Sequence, residues 1–507
     1  MFYKVRLHCL LMVILSVSLV FSAPIWSNWK YNRQLTGRCP YYGPVNPQLL
    51  WTFPTGDTFK ITSAAPVIGQ DGTIYFASPD SFIFAVRSNG TEKWRYKIGG
   101  CVPGWGPAID QNGRIYFKTT DCSVVAIDDS VTYAKLVWKR TFYSSYNPGF
   151  NGLCPVVLGA DKTIYARFKD SLFAIDSLGN RKWAFFTPGM SDGFPPAISP
   201  DGSFLYFESC LEANPSAPNY IIKLNINGGL VWNYYIGLIP FSLTWGSPAI
   251  GSDGAIYFAS ARSPGFLYAI NPDGTTKWPP VSNGDFYYMT ASLGKNDTIW
   301  IMTFGKRPTY YKFAPDNGSI TFRDSITYSP SRSNIYNSFT IDSLGRAFIA
   351  LLDSGTYYTT LYALEPNGTI KWTYTITEPR SYRTFPALAP GRFYIIAGTK
   401  LYAFQAEEGI SWGKSKGELS PCEFEIMPNP FQKRTRIMIG ALSDKVMIYD
   451  VSGRLVRSLL ANSENGYFRD LVWDGVDDFG HELPSGVYFV HLEANSQSNM
   501  KKIVKLK

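Results

Sequence analysis

Histidine is nearly missing from this chain, with three in 507 residues at His8, His481 and His491. The long middle of the sequence has none, which excludes a Ser-His-Asp or Cys-His nucleophile there, and a histidine-ligated metal. Charged residues are scarce at 17%, yet the hydrophobic content of 45% belongs to a folded chain rather than a disordered one. Stretches of helical period are hard to find past the N-terminus. No two cysteines are neighbours. Basic residues, 48 against 39 acidic ones, are spread out, with a modest cluster at Lys433, Arg434 and Arg436. No basic stripe with interleaved aromatics accompanies them, so nucleic acid is not an expected partner.

What is present begins with an address. Lys4 and Arg6 precede an apolar run from Leu7 to Phe21, too short to span a bilayer comfortably, which takes about 20 residues. Residues 1–22 read as a signal peptide cleaved after Ser22. Cys9 sits inside the apolar run rather than just after it, which argues against a lipid anchor. The mature chain has no further segment long and apolar enough to be a membrane span. It keeps Cys39, Cys101, Cys122, Cys154, Cys210 and Cys422, and six cysteines in an exported protein allow 15 disulfide connectivities. Cys101 and Cys122 lie within one repeat. A Cys39–Cys422 bridge would clamp the ends of the repeat array.

Between residues 49 and 412 one pattern recurs about every 45 residues. A Pro-containing apolar strand is followed by a Gly turn, an Ile-Tyr-Phe strand, a Tyr-Ala-Ile strand, a second Gly turn and a Trp. The first copy reads Ala65-Pro66-Val67-Ile68, Asp71-Gly72-Thr73-Ile74-Tyr75-Phe76, Phe84-Ala85-Val86, Asn89-Gly90 and Lys93-Trp94. Trp138, Trp183, Trp232, Trp278 and Trp372 mark further copies, and Phe322 takes the Trp place in the sixth. Asp-Gly and Asn-Gly supply the positive φ that tight hairpins need. Each unit reads as four antiparallel strands that cannot bury both faces alone, which indicates a β-propeller with Trp as the wedge between blades. These repeats resemble the PQQ-like β-propeller family. The fold class is all-β, with an eight-bladed propeller (seven as the alternative) because Trp51 and Trp412 both look able to complete the last blade.

Residues 23–48 form an N-terminal extension and 413–424 a polar linker. From 425 to 507 the motifs change to Met427-Pro428-Asn429-Pro430-Phe431, Tyr449-Asp450-Val451-Ser452-Gly453-Arg454, Trp473-Asp474-Gly475 and Ser485-Gly486-Val487-Tyr488-Phe489. They read as a small immunoglobulin-like β-sandwich. They resemble the type IX secretion (type A) sorting domain and the related flagellar-hook-cap immunoglobulin-like fold. The resemblance implies a secreted or outer-membrane surface protein of an envelope bacterium, addressed to its secretion machinery by this tail.

The PQQ-like resemblance raises the question of quinone-dependent redox catalysis, for which an adjacent cysteine pair and a calcium held by acidic and amide side chains are implied. The sequence has no such pair, and Asp71, Asp201, Asp253 and Asp273 each precede Gly as turn formers. The run at Asp110 resembles part of a calcium loop but lacks its distal Glu, so it reads as a hairpin turn. Paired carboxylates of a carbohydrate-active enzyme stay open as an alternative, as does an outer-membrane assembly scaffold. No cofactor or catalytic residue is assigned. The preferred reading is a binding or scaffolding propeller for an unidentified protein or glycan. Trp105, Phe194, Trp245 and Phe385, at the starts of the inner strands, are the candidate ligand-stacking aromatics.

Overall fold

The computed structural model describes residues 25–407 apart from 56–62, 79–80, 99–105, 131, 143–153, 169, 188–193, 210–217, 239–245, 261–264, 283–285, 288–289, 305–307, 327–337, 354 and 379–382. It also describes residues 424–506 apart from 428–434, 441–444, 461–467 and 495–496. Each repeat folds as the sequence dictates. In blade 1 the strands Val67–Ile68, Ile74–Ala77, Phe82–Val86 and Glu92–Lys97 pair in that order, antiparallel throughout. Gly72 and Gly90 turn the chain between them with φ of 77° and 88°.

Blades 2 to 7 repeat this plan, starting from the inner strands Ala108–Ile109, Val157–Leu158, Ala197–Ile198, Ala249–Ile250, Ser292–Leu293 and Thr340–Ile341. Blade 6 carries an additional short strand, Phe286–Tyr287. Blade 8 supplies only three strands of its own, Ala387–Ala389, Arg392–Ala397 and Lys400–Gln405. Its fourth is Leu49–Pro54, with Leu49 opposite Phe404 and Pro54 opposite Lys400. The ring therefore has eight blades and is closed by Trp51's strand, which leaves no open sheet edge at the join. Trp412 lies outside the described residues.

The seams between blades share one device. The indole of the outer strand lies flat on the glycine turn of the next blade. A Cβ built on Gly90 or Gly228 would come within 2.7 Å of Trp51 or Trp183, and one on Gly179 or Gly318 within 2.9 Å of Trp138 or Trp278. The indole N–H then donates to a carbonyl of that turn: Trp51 to Ser88 at 3.2 Å, Trp138 to Ser177 at 2.9 Å, Trp183 to Ile226 at 3.0 Å and Trp232 to Pro272 at 3.2 Å. In blade 6 Phe322 lies on Gly368 in the same way but has no N–H, and Lys312 Nζ donates to the Pro366 carbonyl instead. In blade 8 the outer strand is the N-terminal one, and Trp372 of blade 7 donates to Pro44 at 3.2 Å.

One seam departs from the plan. The second repeat has Asp128-Asp129-Ser130 where the others have a glycine turn. Asp129 takes its place, accepting from the Trp94 indole at 2.6 Å, from Lys93 Nζ at 2.6 Å and from the Tyr75 hydroxyl. Burial, with the Asp129 charge second, pushes the Tyr75 phenol well above its ordinary value.

Residues 424–506 form two antiparallel sheets. One holds Phe424–Met427, Thr435–Gly440 and Phe468–Trp473, and the other Leu455–Leu460, Lys445–Asp450, Gly486–Ala494 and Gln497–Lys505. Trp473, fully buried, meets Tyr488 edge-on at 5.3 Å in the core between them. Near the end of the chain Lys505 Nζ donates to the Leu483 carbonyl at 2.6 Å and pairs with Glu482 at 3.0 Å.

Because Trp278 is buried and fills a seam, Trp278→Ala is expected to cost about 3–5 kcal/mol. Urea unfolding should show a lower midpoint at an unchanged slope.

Candidate functional site

The inner strands of a propeller point one backbone edge at the axis, and those N–H groups need partners. Here the N-terminal extension provides them. Residues 25–48 run as a strap around the hub and meet the blades in order. Ile68 N donates to Trp26 O at 2.9 Å, Ile109 N to Ser27 O at 2.9 Å, and Leu158 N to Asn28 Oδ1 at 3.3 Å. Ile198 N then donates to Arg33 O at 2.9 Å, Ile250 N to Gln34 O at 3.1 Å, Leu293 N to Thr36 O at 2.8 Å and Ile341 N to Gly37 O at 2.7 Å. The tight path requires left-handed backbone at Lys30, Tyr31, Leu35 and Gly37, with φ of 57°, 76°, 56° and 72°, at a cost of roughly 1–2 kcal/mol for each non-glycine residue.

The strap is then tied to blade 7. Gly43 N donates to Asp342 Oδ2 at 3.0 Å, while Arg346 Nε reaches the same carboxylate at 2.7 Å and its Nη2 reaches Gly43 O at 3.0 Å. Burial holds the Asp342 carboxyl above its usual range despite the Arg346 charge.

Trp29 is the centre of the strap and has no exposed surface. Its ring meets Phe194 of blade 4 at 5.9 Å and Phe385 of blade 8 edge-on at 5.3 Å. Those blades stand opposite one another in the ring, so Trp29 spans the axis. Two of the four candidate stacking aromatics are thus brought together, but onto the chain's own tryptophan. Trp105 and Trp245 lie outside the described residues. Next to Trp29, Lys30 is buried, with its Nζ donating to the Ala291 carbonyl at 2.6 Å. Burial pulls its pKa far below the ordinary lysine value. No residue of the strap was singled out by the sequence reading except Cys39, although its density of tryptophan and tyrosine was visible.

Cys39 is buried and has no disulfide partner among the described residues; its Sγ lies 3.8 Å from the Tyr41 carbonyl, and burial raises its pKa. Its suggested partner Cys422 lies outside the described residues, as does Cys101, the suggested partner of Cys122. Asp110 behaves as a turn former. Its Oδ1 accepts from the amides of Asn112 at 2.8 Å and Arg114 at 3.0 Å, and its Oδ2 accepts from the Tyr116 hydroxyl at 3.1 Å.

Two concavities open on the strap side of the ring. A recess of about 410 Å³ lies over the strap, lined by Arg33, Arg38, Asn32 and Gln34 together with the turns at Asp110–Gln111 and Lys162. A groove of about 670 Å³ runs beside it across blades 1 and 2, lined by Asp71, Lys93, Asn112, Arg114 and Asp128. Asp71 in the groove is held below the usual carboxylate range. Burial opposes this, but hydrogen bonds from Thr73 and Lys93 and the lysine charge outweigh it.

With this geometry in hand, the comparisons with known proteins divide along the chain. Residues 436–498 match the FlgD Ig-like domain family. A search of curated proteins finds no match. Among solved structures the chain is similar to the quinohemoprotein alcohol dehydrogenase from Comamonas testosteroni, at 12% identity and a TM-score of 0.58, covering 79% of this chain and 83% of that one. A europium-containing methanol dehydrogenase is similar at 13% identity and a TM-score of 0.59, covering 76% of this chain and 98% of that one. BamB from Moraxella catarrhalis is similar at 15% identity and a TM-score of 0.48, covering 71% of this chain and 98% of that one. For the two dehydrogenases, at such identities, the likeness is one of fold. The residues here do not fit the quinone site implied by the PQQ-like resemblance, since the neighbouring cysteines are missing and Trp29 spans the hub.

Lys30 gives a test of the strap. A lysine whose pKa is lowered on folding destabilises the fold below its unfolded pKa of about 10.4. That penalty grows as pH falls toward the folded pKa. Lys30→Met is expected to raise the melting temperature at pH 7. The gap from the natural protein should narrow as pH rises toward 10, measured by thermal unfolding across that range.

Proposed function

We propose that this chain is a binding or scaffolding propeller, displayed on or released from the surface of an envelope bacterium, and that its immunoglobulin-like domain addresses it to a type IX-like secretion route. The observation that carries the binding reading is Trp29 wedged between Phe194 and Phe385. It takes up the axial space at that level, so a partner on this side meets the recess and groove around the strap. That surface is rigidly built, since a hydrogen bond from each of blades 1 to 7 fixes the strap beneath it. The partner is a protein or a glycan, and no catalytic role is assigned to any residue. Export is supported by the basic start and apolar run before Ser22, and addressing by the order of motifs from Pro428 to Phe489.

Fractionation of the native host with intact-mass measurement tests this reading. The expected result is protein at the outer membrane or in the medium, lacking residues 1–22 and, once processed, lacking the tail from about Met427. Full-length protein in the periplasm carrying stoichiometric quinone would overturn it in favour of a dehydrogenase.

A further inference from the structure

The recess and the groove are not separate. Ile109, Asp110, Gln111 and Lys162 line both, so the two join into one cleft that runs from the strap outward across blades 1 and 2. The halves differ in chemistry. In the recess Arg38 is paired with Asp297 at 3.1 Å, which leaves Arg33 and Lys162 as the cationic side chains that stand against the one carboxylate of the lining, Asp110. That carboxylate is already engaged by two backbone amides and the Tyr116 hydroxyl. The inner end of the cleft therefore favours an anionic group.

The outer half instead presents donors and acceptors side by side. Arg114 grips Asp128 through Nε at 2.6 Å and Nη2 at 3.1 Å, and Lys93 Nζ stands 3.0 Å from Asp71. The two carboxylates remain open to solvent, with 40% and 56% of their side-chain surface exposed. A donor beside an acceptor matches a pair of vicinal hydroxyls, each of which can both give and take a hydrogen bond. An extended peptide offers one N–H and one C=O per residue, each with a fixed role, whereas either hydroxyl of a vicinal pair can take either role. The rings of Tyr75 and Tyr116 are buried beneath the groove, so recognition there is polar.

We propose that this cleft binds an acidic oligosaccharide, with a carboxylate-bearing sugar in the cationic recess and the following sugars along the groove. The proposal rests on the binding reading above and names its ligand class. Recognition by charge and hydroxyl pairs with no stacking platform makes the affinity moderate and sensitive to salt.

The test is calorimetric titration of the full mature chain with an oligosaccharide of about six sugars that ends in a single uronic acid, a size suited to clefts of several hundred Å³. A neutral cello-oligosaccharide of equal length and polyglutamate are run in parallel. Lys162 has φ of 64°, a conformation asparagine tolerates, so Lys162→Asn removes the charge without straining the turn. Binding of the acidic sugar alone, weakened about tenfold by Lys162→Asn and several-fold by Asp128→Asn, is the expected result. No heat with the uronic-acid oligosaccharide, or binding unchanged in Lys162→Asn, overturns the proposal. Preference for polyglutamate also overturns it, while leaving a binding propeller with a protein partner. Periplasmic, quinone-loaded protein in the fractionation would instead remove the reading beneath it.

Discussion

The indole laid on a glycine turn of the following blade is the contact from which the ring is assembled. A four-stranded blade buries neither face by itself, and the seams do the burying. The geometry of the seam depends on a hydrogen atom where any other residue would carry a Cβ, because the tryptophan ring occupies that space. The indole N–H then fixes the angle of approach by donating to the turn. Blades 1 and 6 show how far the device can vary. In one an aspartate on the next blade takes over as acceptor, and in the other a lysine takes over as donor while phenylalanine keeps the flat contact.

Such a seam writes itself into the sequence, which is why so much of the propeller was legible. Gly and Trp must recur at a fixed separation, and the inner apolar strands must recur with them. Even the irregular seam is visible as the missing glycine of the second repeat. Blade number was ambiguous because Trp51 and Trp412 are equivalent in local pattern. Pairing of Leu49–Pro54 with Lys400–Gln405 decides it, and that is a long-range choice no local pattern records.

The strap was not legible, for a related reason. Its contacts recur once per blade around a small circle, at uneven steps of one to five strap residues for each whole repeat of the ring. No strand or helix period results, and Asn28, Arg33 and Gly37 look like ordinary loop residues. Phe194 and Phe385, which precede the inner strands, meet Trp29. Their sequence could not reveal that a tryptophan from the far end of the chain lies between them. The immunoglobulin-like domain sits at the other extreme, since its hairpin turns and buried Trp473 are local features and the FlgD Ig-like match falls on them.

The path of the N-terminal residues also sets an order of events. Strap and closing strand come from the first part of the chain to be made. The strap's docking sites are complete once Ile341 is in place, and the closing strand's only when Lys400–Gln405 has followed. Until then the eighth blade lacks its fourth strand and the ring stays open. The barrier to that closure is the entropy of bringing two distant segments together. A chain built this way stays unlatched for nearly the whole of its synthesis. It locks behind itself once the last propeller strand has arrived.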